Sequence, residues 1–69
     1  MSYKNLTLHK TVLVNLDTGR CFRGALLHVK RDVLVLANAE IIEPGDRPLP
    51  VPGSVVVERK RVEFVQVVS

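Results

Sequence analysis

Residues 11–40 read TVLVNLDTGRCFRGALLHVKRDVLVLANAE: three runs rich in Val and Leu, two polar breaks, and one glycine inside the middle run. That glycine, Gly24, lies two residues after Phe22 and two before Leu26. Glycine weakens a strand interior, so its presence there marks a bend, a bulge or a close backbone approach. A strand that bends hard in its middle belongs to a small closed barrel rather than to a flat sheet.

Outward from Gly24 the elements follow in order. Thr11–Leu16 predicts a strand with Val12, Val14 and Leu16 on one face. Asp17–Arg20 is a turn in which Gly19 supplies the positive φ of a tight hairpin. Cys21–Val29 is the second strand, Lys30-Arg31-Asp32 a short connection, and Val33–Ala39 the third strand, with Ile41-Ile42 closing the segment. Upstream, Met1–His9 shows no helical period, and the alternation of Leu6 and Leu8 reads as the lead-in to a strand. Downstream, Glu43–Pro52 holds all four prolines of the chain and predicts a loop without strand or helix. Gly53 opens the last unit, with a strand over Ser54–Glu58, a tight turn at Arg59-Lys60 and a fifth strand over Arg61–Val68. There is no repeat, linker or boundary, so residues 1–69 form one all-β domain.

A chain of 69 residues buries only about 60% of its unfolded surface and is marginally stable alone. Such domains are reinforced by disulfides, metal or self-association. Cys21 is the single cysteine, which excludes an internal disulfide. One Cys and two scattered His do not make a structural zinc site, so neither metal nor cofactor is expected. Self-association remains. No apolar run approaches the roughly 18 residues that span a bilayer, and MSYKNLTLHK lacks the apolar centre of a signal peptide. The lone cysteine fits a reducing cytoplasm, which is the expected location.

The end of the chain points to self-association as well. Val55, Val56 and Val57, then Phe64, Val65 and Val67, are apolar on both faces of their strands, whereas a strand with one wet face should alternate. Left bare, they would form an exposed apolar edge, which proteins cover. One edge strand pairing head-to-tail with a different edge of the next copy closes into a ring. These six residues are therefore the expected oligomer interface.

The net charge is +3, and its placement matters more than its size. Lys30, Arg31, Arg59, Lys60 and Arg61 hold five of the ten basic residues at two predicted turns, while Glu40, Glu43 and Asp46 gather elsewhere. If the two turns meet, the fold has a basic end and an acidic one. Nothing in the chain pairs a nucleophile with a base. Gly19 to Gly24 has glycine spacing but lacks the Lys-Ser/Thr of a phosphate-binding loop. His9 and His28 have no local partner, and Cys21 reads as structural. An enzyme is not expected.

The segment Leu16-Asp17-Thr18-Gly19-Arg20-Cys21-Phe22-Arg23-Gly24-Ala25-Leu26, continued by Leu34, Leu36, Asn38 and Glu40, resembles the first motif of the Sm-like (LSm/Hfq) superfamily. Gly53–Val68 resembles the second in outline, through Val55-Val56-Val57, a short turn and Val62-Glu63-Phe64-Val65. The resemblance covers nearly the whole chain. It implies a five-stranded, strongly bent, SH3-like antiparallel barrel behind a helix that is short or absent. It also implies a homo-oligomeric ring in which the fourth strand of one subunit pairs with the fifth of its neighbour, a hexamer first and a pentamer or heptamer next.

In ring members that bind uridine-rich RNA, a stacking aromatic or His and an Asn lie between strands two and three, and Arg-Gly followed by Asp or Asn lies between strands four and five. Here those places hold Lys30-Arg31-Asp32-Val33 and Glu58-Arg59-Lys60. The family fold sets the two turns side by side near the pore. Lys30, Arg31, Asp32, Arg59, Lys60 and Arg61 are thus the expected contacts to single-stranded RNA, because Arg and Lys neutralise phosphate and Arg also stacks on bases. The alternative is a structural ring that binds protein, with solvated charged turns and Glu43–Pro52 as its contact to a partner.

Overall fold

The computed structural model describes residues 6–68. Strands β1 (Thr11–Leu16), β2 (Cys21–Val29), β3 (Val33–Ile42), β4 (Leu49–Pro50), β5 (Val55–Glu58) and β6 (Val62–Val67) follow in order, with a 3-10 turn over Arg59–Arg61 between β5 and β6. All pairings are antiparallel: β1 lies between β2 and β6, and β2 pairs with β3. The far edge of β3 is shared, its first half taken by β5 and its second by β4. The all-β architecture is the one the sequence predicts, a bent antiparallel sheet that almost closes.

The bend is built around Gly24. Its backbone is extended rather than left-handed, and what it lacks is room. A Cβ there would sit 3.0 Å from the Ala37 carbonyl oxygen and 3.2 Å from the Ala39 Cα. Opposite it the register slips: Arg23 pairs with Glu40 but Ala25 with Ala37, so β3 carries an extra residue. Asn38 lies in that interval and takes φ +52°, a left-handed conformation that Asn tolerates better than most side chains. A bulge on one strand and a bare backbone on the other let β2 and β3 fold sharply over the core.

Alternation along the bent strands fills the interior. Val12 and Val14 from β1, Leu26 from β2 and Leu34 and Leu36 from β3 are fully buried. Ala39 and Val57 complete the cluster, and Leu16, Phe22, Val29, Val55, Val62 and Val65 pack around it. Burial of each such aliphatic side chain contributes about 1.5–3 kcal/mol.

Four predicted details are corrected. Leu6 and Thr7 are helical rather than strand-like. Thr7 is 4% exposed, and its carbonyl accepts the Lys10 N–H at 3.2 Å. His9, at φ +64°, ends the helical turn in the way a left-handed cap residue does and donates its N–H to the Leu26 carbonyl at 2.7 Å. The rest of the expected lead-in, Met1–Asn5, lies outside the described residues. The proline-rich loop does hold a strand: Leu49 pairs with Ile41 and Pro50 with Glu40, and Val51 N–H reaches the Ala39 carbonyl at 2.9 Å. Proline is tolerated on an edge, where its missing donor faces away from the ladder. Finally, β3 runs on to Ile42, and the last strand begins at Val62 because Arg61 belongs to the 3-10 turn.

The last two strands, β5 and β6, are joined by the 3-10 turn but do not pair with each other. Among the described residues, each uses one edge only. Of the expected interface residues, Val56, Phe64 and Val67 point outward, at 62%, 52% and 41% exposure. Val55 and Val65 are half-buried against the core. Val57 is 5% exposed: its side chain is core, so it can serve a neighbour only through its main chain.

Candidate nucleic-acid interface

The hairpin between β2 and β3 and the 3-10 turn after β5 are far apart in sequence, but the β3–β5 ladder brings them together by pairing Val33 with Glu58. The Lys30 N–H donates to the Val33 carbonyl at 2.9 Å, which closes the first turn. The Arg59 N–H donates to the Asp32 carbonyl at 2.9 Å. The Arg59 guanidinium reaches across, its Nη1 donating to the Lys30 carbonyl at 2.9 Å and to the Arg31 carbonyl at 3.4 Å. One residue of the second turn thus holds all three residues of the first. The two basic turns meet, as expected.

The cations do not all have the same freedom. Lys60 Nζ lies 3.4 Å from Glu58 Oε2, and Arg61 Nη1 lies 3.8 Å from Asp17 Oδ2. Exposed pairs of this kind are worth about 0–1 kcal/mol, so a phosphate can displace them. Lys30 and Arg31 make no side-chain hydrogen bond or ion pair among the described residues. Asp17 is the residue that sequence reasoning missed. Its N–H donates to the Arg61 carbonyl at 2.8 Å, tying the β1–β2 turn to the same end of the barrel, and no local pattern signals a contact made only by closure of the sheet. Arg31, Asp32, Val33, Glu58, Arg59 and Lys60 line a cavity of about 460 Å³.

The other charged cluster is less one-sided than predicted. Glu43 and Asp46 line a cavity of about 440 Å³ together with Arg20, Arg47, Ile41 and Leu49, so the acidic loop is balanced by two guanidinium groups. Burial pushes the Cys21 thiol above its usual pKa, the direction opposite to that of a reactive nucleophile. Among the described residues, no three His, Cys, Asp or Glu side chains gather to hold a metal ion.

The chain superimposes on a heptameric archaeal Sm protein with a TM-score of 0.82 and 30% identity over 94% of both chains. It belongs to the Sm family. This Sm-like chain also matches an Sm protein of Pyrococcus abyssii solved in complex with a uridine heptamer, at TM-score 0.80 and 32% identity over 93% of this chain and 90% of that one. A chain of the NatC complex bound to CoA has the same fold, at TM-score 0.78 and 24% identity over 97% of this chain and 86% of that one. No protein-family model and no curated protein matches the sequence.

Proposed function

We propose that this Sm-like chain is a non-catalytic RNA-binding protein that assembles as a homoheptameric ring and holds single-stranded RNA on its basic turns. The observation that carries the reading is the Arg59 bridge to the Lys30 and Arg31 carbonyls, which gathers five cations from distant parts of the chain at one end of the barrel. The ring rests on the free edge that each of β5 and β6 leaves and on the outward Val56, Phe64 and Val67 beside them. Seven replaces the hexamer first expected from sequence, because the archaeal Sm protein and the Sm protein of P. aerophilum, both 30% identical, are heptamers. RNA as ligand is supported by the relative in complex with a uridine heptamer. Ring symmetry repeats the basic turns around one axis, which raises the local positive potential and makes each further phosphate contact intramolecular.

The test is an electrophoretic mobility shift with oligo-U and oligo-A at several salt concentrations. A shift that weakens as salt rises, and weakens further in a Lys30→Ala/Arg31→Ala double variant, is expected. A correctly assembled ring that shifts neither oligonucleotide at micromolar protein and low salt would instead be a protein-binding scaffold.

A further inference from the structure

Resting on the RNA-binding reading, we infer that the cavity between the basic turns selects bases by a donor edge, with guanine favoured and uracil disfavoured, and that Asp32 is the residue that reads the base. The cavity lining contains no aromatic ring and no side-chain amide. Its polar groups are three cations and two carboxylates, and most are already engaged. Arg59 is occupied by the carbonyls of Lys30 and Arg31, and Lys60 and Glu58 face each other at 3.4 Å. The Asp32 carboxylate and the Arg31 guanidinium make no hydrogen bond or ion pair among the described residues. The Asp32 main chain, in contrast, is fixed, because its carbonyl accepts the Arg59 N–H at 2.9 Å. The result is a tethered, uncommitted acceptor beside an uncommitted cation in a cavity of about 460 Å³.

An ionised carboxylate only accepts hydrogen bonds. The pairing edges of single-stranded bases are open to proteins, and they differ in what they offer an acceptor. Guanine presents adjacent donors, N1–H and N2–H, one for each carboxylate oxygen, and its O6 accepts from Arg or Lys. Adenine and cytosine present one amino donor next to a ring-nitrogen acceptor. Uracil presents one N–H between two carbonyl oxygens, both of which repel a carboxylate. Lys30, which is not part of the cavity lining, is left to contact phosphate whatever the base and so adds affinity without selectivity.

The experiment is a fluorescence anisotropy titration of the ring with equal-length single-stranded RNAs of uridine alone, alternating guanosine and uridine, and alternating adenosine and uridine. The guanosine-containing strand is expected to bind at least about fivefold tighter than the uridine strand, with the adenosine strand between them. In Asp32→Asn, loss of a negative charge favours every strand alike while loss of the carboxylate removes the guanine contact, so the ratio between strands is the informative quantity, and it is expected to fall towards one. The Asp32 contact to Arg59 is made by main chain, so this variant keeps the fold, which a thermal melt checks. Uridine bound as tightly as the guanosine strand would overturn the inference and leave the RNA-binding reading standing, and so would an unchanged ratio in Asp32→Asn. Failure to bind any of the three at low salt would overturn both.

Discussion

Gly24 is the residue on which the bend depends, and the reason is space rather than backbone freedom. An added Cβ meets the Ala37 carbonyl at 3.0 Å and Ala39 on its buried side, so β3 must retreat. Gly24→Ala is expected to cost about 1–3 kcal/mol, read as a lower urea midpoint, and Gly24→Val more. Cys21 gives a second prediction at this scale. Its folded pKa is raised by burial, so at a given pH near 8 less thiolate is present in the folded than in the unfolded chain. Alkylation should therefore be slower in native protein than in urea, and the difference should narrow as pH rises through the folded pKa. From the sequence Gly24 was readable as a bend, bulge or close approach. That close approach and a bulge act together, with Asn38 supplying the extra residue, was not readable, because Asn38 shows its left-handed φ only once paired against β2.

Between elements, the decisive contact is the one from the 3-10 turn to the β2–β3 hairpin. Arg59→Ala removes both guanidinium hydrogen bonds and is expected to cost about 1 kcal/mol of stability, and to loosen the turn that carries Lys30 and Arg31. Its RNA affinity should fall more than that of Lys60→Ala, although each variant removes one positive charge. Mobility shifts of the two variants at matched salt measure the difference. Arg59→Lys should not restore binding, because a single ammonium does not reproduce the planar fork. The turns themselves were evident from Lys30-Arg31-Asp32 and Arg59-Lys60. Strand β4 was not, since the prolines around Leu49 argue for a loop unless an unoccupied edge of β3 lies beside them.

At the level of the whole molecule, the barrel is left open between β5 and β6. Phe64→Glu places a charge on the outward face of β6 and is expected to convert the ring to smaller species, seen as a lower mass by light scattering, with little loss of secondary structure by circular dichroism. Val56→Lys should act in the same direction from β5. In either variant, RNA affinity should drop by far more than one charge per chain explains, because multivalency is lost along with the ring.

The order of apolar and polar residues determined that this chain is a bent antiparallel barrel. Strand alternation, Gly19 and Gly24 are local signals, and burying one face of each strand admits few other arrangements. The same pattern placed the basic residues in turns. Tertiary structure decided which of them are free. Closure of the sheet set Arg59 on the carbonyls of Lys30 and Arg31, and Arg61 beside Asp17. It also turned Val57 inward and Val56 outward. These are contacts between residues distant in the chain, fixed by register and by the bend, so they exist only after the strands have paired.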